Sequence, residues 1–183
     1  EHVVFDGEPH HGMATHPQLA ERSVIISSFG KTYHVTGWRV GYCVAPAVLM
    51  DEICKVHQFL MFSADTPMQH AFAEHMTDPQ TWLSLAAFYQ RKRDLLQNLL
   101  SDSPFRLLPN AGSFFLLADY SHFSEESDSD MVKRLITEYG VATIPLSAFY
   151  ADGTDNKLIR LSFAKDEATL RAGAQALCRV KPR

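Results

Sequence analysis

Ser27-Ser28-Phe29-Gly30-Lys31-Thr32-Tyr33-His34-Val35-Thr36-Gly37-Trp38-Arg39-Val40-Gly41 is the stretch that decides how this chain folds. The residues just before it, Val24-Ile25-Ile26, form a short β-branched run and predict a buried strand. Gly30, Gly37 and Gly41 then interrupt the pattern, and residues 40–44 resume it as a second strand. Lys31 is thereby expected at the end of one strand and Arg39 at the start of the next.

Each residue type here has a chemical use. A lysine amine condenses with an aldehyde in its neutral form. The Ser28 hydroxyl can donate to a phosphate oxygen. Arg39 offers a planar fork that matches a phosphate dianion through two parallel charge-assisted hydrogen bonds. The glycines allow tight turns and a close approach of backbone to ligand. A lysine at a sheet edge with phosphate-binding groups beside it is what Schiff-base chemistry on pyridoxal 5'-phosphate requires. Gly30-Lys31-Thr32 does not make a P-loop, because the glycine that motif needs before Gly30 is replaced by Ile25.

The string resembles the lysine motif of class I/II aminotransferases, the fold-type I pyridoxal-phosphate enzymes. That motif runs Ser-x-x-Lys and then Arg-x-Gly, matched by Ser28, Lys31, Arg39 and Gly41. The resemblance implies that Lys31 is the catalytic residue, forming a Schiff base with the cofactor, while Ser28 and Arg39 hold its phosphate. Residues 31–46, His57-Gln58-Phe59-Leu60 and Ser63-Ala64-Asp65-Thr66-Pro67-Met68-Gln69 are similar to the methionine and kynurenine aminotransferase subgroup. So is Asn156-Lys157-Leu158-Ile159-Arg160-Leu161-Ser162-Phe163-Ala164. There the resemblance makes Arg160 the partner of the substrate α-carboxylate, and a guanidinium fork on a buried strand suits that planar anion. In Asn110-Ala111-Gly112-Ser113-Phe114-Phe115-Leu116-Leu117, a turn leads into a strand. Family members place an aromatic near the substrate side chain at this point. The two rings alternate faces, so Phe114 is taken as substrate-binding and Phe115 as an ordinary core residue.

The implied activity is transfer of the amino group of methionine or an aromatic amino acid to a 2-oxo acid, by a cytoplasmic homodimer. Rival activities share the Lys31 motif: a C–S β-lyase acting on cysteine conjugates, or a cyclopropane-forming synthase. A non-catalytic effector-binding module of a transcription regulator is the rival from another class, and such modules usually follow a basic DNA-binding region that is not in this sequence. Enzymes of this family are about twice as long as this chain. Their aspartate for the pyridine nitrogen, a tyrosine for the ring, the stacking aromatic and a phosphate-binding glycine loop all lie upstream of the matched segment, and neither Asp6 nor Asp51 stands in for the aspartate. The chain is therefore expected to be the C-terminal half of such an enzyme, with little or no activity by itself.

Periodicity predicts helices over 48–62, 66–76, 80–100, 128–139 and 167–180, and strands over 105–108, 113–118, 141–144 and 158–163. The expected fold class is α/β: residues 1–100 complete a large cofactor-binding domain with a linking helix, and 101–183 form a small α+β domain. Arg91-Lys92-Arg93 is expected on the wet side of its helix. Seventeen basic against twenty-one acidic residues leave a net charge of −4, which favours neither nucleic acid nor membrane as a partner. Three cysteines, an odd number without paired spacing, point to free thiols in a reducing compartment. His10-His11 and His70/His75 lack metal-ligand spacing, so no metal is expected.

Overall fold

The turn signals and apolar runs of the front half resolve, in a computed structural model that describes residues 1–182, into short helices around a two-stranded ribbon. Two compact units form. One comprises Glu1–His2 with Pro9–Leu85, and the other Val3–Glu8 with the described chain from Ala86 onward.

The first unit holds α1 (Pro17–Ala20), β1 (Ile25–Ser28), α2 (Phe29–Thr32), β2 (Gly41–Val44), α3 (Ala47–Leu60), α4 (Thr66–His75) and α5 (Gln80–Leu83). β1 and β2 run antiparallel, with Ile25 opposite Val44 and Ser28 opposite Gly41. α4 starts where its sequence says it should: the Asp65 carboxylate accepts from the Met68 N–H at 3.1 Å, and Pro67 occupies the first turn. The expectation of a buried first strand is not met. Ile26 is 79 % exposed, because alternation along β1 turns it to the uncovered face with Ser28, while Ile25 and Ser27 are half-buried on the other. Along α3 and just beyond it, Val56, Phe59, Leu60 and Phe62 are also open to solvent among the described residues, Phe59 at 85 %.

The second unit takes α6 (Leu85–Leu99) from its second residue onward, then β3 (Arg106–Leu107), β4 (Phe115–Asp119), α7 (Asp128–Tyr139), β5 (Ile144–Pro145), β6 (Leu158–Ser162) and α8 (Glu167–Leu177). Its sheet has the order β3-β4-β6-β5, antiparallel throughout. Period-two alternation puts Leu116, Ala118, Ile159 and Leu161 on the buried face, with Met131 and Leu135 of α7 and Leu170 and Leu177 of α8 in the same core. Leu117 pairs with Arg160, and Ile144 pairs with Arg160 from the other side, so these three share the opposite face.

Three further expectations shift. The long helix over 80–100 is broken at Ser84 into α5 and α6, in keeping with the preference of serine for helix ends over interiors. The compact units divide near the start of α6, ahead of the boundary expected at residue 100. The helix joins the second unit because Tyr89 lies 6.4 Å from the rings of both Phe114 and Phe163. Arg93 is not on a wet face: it is 5 % exposed, bonds Asp6 at 2.6 Å and the Asn110 carbonyl at 2.7 Å, and sits 4.8 Å over the Phe5 ring.

Candidate active site

β1 ends at Ser28, and the single turn α2 follows at once, so Lys31 is carried on a rigid corner three residues past the strand. The Val35 N–H bonds the Gly30 carbonyl at 3.1 Å, and a 3₁₀ turn at Thr36–Trp38 brings the chain back. Gly30 is buried against this return, where a Cβ would stand 3.0 Å from the Thr36 Cα. Arg39 takes a left-handed conformation at φ 57° and donates to the Thr36 carbonyl at 3.2 Å. Gly41 then pairs with Ser28, so close that a Cβ on it would lie 2.4 Å from the Ser27 carbonyl oxygen. The matched glycine is thus a condition for the ribbon to close.

Behind the corner stands a cluster of rings. Phe29 lies 4.8 Å from buried Phe72 of α4 and 5.1 Å from Tyr42, and Trp38 lies 5.2 Å from Phe72. Of these rings only Phe72 is buried, and Ser28, Lys31 and Arg39 are all exposed. Neither the Ser28 hydroxyl nor the Lys31 ammonium has a hydrogen-bond or ion-pair partner among the described residues. At the ribbon edge, the Glu1 carboxylate accepts from the Tyr42 hydroxyl at 2.9 Å and from the Ser27 hydroxyl at 3.0 Å. Burial raises the Glu1 carboxyl, but these bonds outweigh it and hold the group below its usual value.

This donor set fits pyridoxal phosphate: an amine for the aldehyde, a hydroxyl and a guanidinium for the phosphate, and a side-chain-free glycine between them. Nothing in the ribbon suggests a metal instead. Among the described residues no group of three His, Cys, Asp or Glu side chains is placed to hold one.

Arg160 belongs to the second unit. It is half-buried on β6 and meets no carboxylate among the described residues. Two rings flank it instead: its guanidinium carbon lies 4.8 Å from the centre of Phe115 and 5.1 Å from that of Phe149. Phe114 packs near Tyr89, while its neighbour Phe115, expected to be a plain core residue, is the ring over Arg160. The sequence signal for Phe115 was the strand alternation that sets it on one face with Leu117, but reading it required the β4–β6 register. Phe149 lies at the end of a single 3₁₀ turn, Ser147–Phe149, and carried no periodic signal at all.

The motif residues Ser28, Lys31, Arg39 and Gly41 are thus all exposed on one strand–turn–strand ribbon. A model of the family "Aminotransferase class I and II" matches residues 1–177, and the chain belongs to that family. It is similar to the methionine aminotransferase of Escherichia coli (strain K12), with 52 % identity over 178 residues, covering 97 % of this chain and 46 % of that protein. It also resembles the kynurenine–oxoglutarate transaminase of Dictyostelium discoideum, 36 % identical over 203 aligned residues, covering 99 % of this chain and 47 % of that one. Among solved structures, a methionine aminotransferase from Escherichia coli matches with a TM-score of 0.94 at 51 % identity, over 98 % of this chain and 48 % of that one. N-succinyldiaminopimelate aminotransferase from Mycobacterium tuberculosis matches with a TM-score of 0.89 at 32 % identity, over 97 % of this chain and 47 % of that one. The chain spans about half the length of the curated relatives it matches.

Proposed function

We propose that the whole protein is a pyridoxal-phosphate-dependent aminotransferase that moves the amino group of methionine or an aromatic amino acid to a 2-oxo acid. The observation that carries this is the display of Ser28, Lys31 and Arg39, all exposed, on one ribbon of a chain half identical to a methionine aminotransferase. Bound pyridoxal phosphate supplies a ring that accepts the electrons released at the substrate Cα. Lys31 Nζ would hold the cofactor at its aldehyde and, as a free amine, would take up the proton removed from the substrate Cα. Ser28 Oγ and the Arg39 guanidinium hold the phosphate. Arg160, with its N–H donors uncommitted to any carboxylate among the described residues, pairs with the substrate α-carboxylate, and Phe114 borders the side-chain pocket. The apolar face of α3 supports a homodimer, and we place the enzyme in the cytoplasm.

The test is the absorbance spectrum of the full-length protein with pyridoxal phosphate, before and after methionine. A cofactor band that shifts with methionine, and is lost in Lys31→Ala, is the expected result. A spectrum indifferent to every amino acid tried sinks the aminotransferase reading. Sedimentation of the same protein checks the dimer.

A further inference from the structure

The guanidinium of Arg160 is held by rings where other arginines of its unit are held by acids. Arg93 reaches Asp6, Arg106 reaches Asp119, Arg134 reaches Glu126 and Arg171 reaches Glu167. Arg160 reaches no carboxylate among the described residues and is overlaid by Phe115 and Phe149. A carboxylate partner would occupy the N–H edge of the guanidinium. An aromatic face attracts the cation through its plane and leaves that edge free.

Both rings are anchored. Phe115 sits in β4, its carbonyl accepting from the Asn110 side-chain amide at 3.0 Å. Phe149 is 61 % exposed, yet it does not ride on a loose loop. Its turn is pinned by Asp128, one of the most buried side chains of the unit. One Asp128 oxygen accepts from the Ser147 N–H at 2.6 Å, and the other from the Ser147 hydroxyl at 2.7 Å. The Phe149 N–H closes the turn on the Leu146 carbonyl at 3.0 Å. A ring this exposed adds little to the core, so a leucine would satisfy its packing; what only an aromatic group adds is the contact with Arg160.

We infer that Phe149 and Phe115 are positioning residues that hold the plane of Arg160 and keep its N–H edge for the substrate carboxylate. This rests on the assignment of Arg160 to that carboxylate, so the experiment separates the two. In the full-length protein loaded with pyridoxal phosphate, binding of the acid that is methionine without its amino group is measured by calorimetry, alongside kcat and KM for methionine. Phe149→Leu is expected to weaken the acid and raise KM about fivefold, with kcat changed less than about twofold. Phe149→Tyr, which keeps a ring, is expected to restore both to within about twofold. Added to Arg160→Gln, Phe149→Leu should cost nothing further. If Phe149→Leu binds like wild type while Arg160→Gln does not, the positioning role is wrong and the assignment of Arg160 stands. An equal loss from Phe149→Leu with and without Arg160 also overturns it. Wild-type affinity in Arg160→Gln removes the carboxylate assignment itself, and the positioning role with it.

Discussion

Gly41 shows how much a single residue controls at this site. Its φ is unremarkable; what matters is room, since a Cβ would be driven to 2.4 Å from the Ser27 carbonyl. Gly41→Ala must therefore part β1 from β2, and with them Ser28 from the segment bearing Arg39. We expect a loss of about 2 kcal/mol in urea unfolding, together with weaker retention of pyridoxal phosphate. Arg93 shows the limit of reading residues singly. In Arg91-Lys92-Arg93 all three look alike, and only the fold reveals that the third is buried against Asp6, Asp94 and Phe5. Asp6 is 87 positions away along the chain, a partner that no local pattern could name.

At the scale of elements, α7 was legible from end to end. Ser127 accepts from the Asp130 N–H at 3.1 Å, Asp128 and Asp130 lie in the positive first turn, and Gly140 closes the helix at φ 70°. The Val141 N–H reaches back to the Leu135 carbonyl at 3.0 Å, completing the turn. Nothing stands within 4 Å of a Cβ on Gly140, so here the cost of a side chain is conformational and not steric. Gly140→Ala is expected to cost about 1 kcal/mol by urea unfolding and to leave the spectrum of the loaded enzyme unchanged. The contrast with α5 and α6 is instructive. Their apolar residues continue across Ser84, and the break falls at one serine whose preference for helix ends is a signal too weak to outweigh the periodicity.

For the molecule as a whole, the ionisable groups make stability depend on pH from both sides. The Arg93 guanidinium holds the Asp6 carboxyl below its ordinary 3.8. Burial raises Asp119, but the Ser121 N–H and Arg106 outweigh it and lower the group. The Thr169 N–H and hydroxyl lower Asp166. A carboxyl depressed by folding adds stability that is present above 3.8 and lost as pH falls through its folded value. Burial, then the charges of Asp155 and Asp128, push the Tyr120 hydroxyl well above its ordinary 10. That contribution is intact below 10 and lost as pH rises beyond it. Urea midpoints should therefore stay level near neutrality, fall below about pH 4, and fall again above about pH 10. A midpoint that keeps rising into acid would contradict this balance.

Composition and spacing alone determined the chemistry on offer: a lysine, a hydroxyl and a guanidinium punctuated by glycines, along with the approximate bounds of most helices. Those features depend on contacts within a few residues, where hydrogen-bond geometry and steric limits act the same way in any fold. Tertiary structure alone decided that Phe115 and not Phe114 lies over Arg160, that Phe149 joins it from a turn, and that Arg93 is buried. Each of these depends on strand register or on a partner far along the chain, and a shift of register by one residue sends every side chain of a strand to the opposite face.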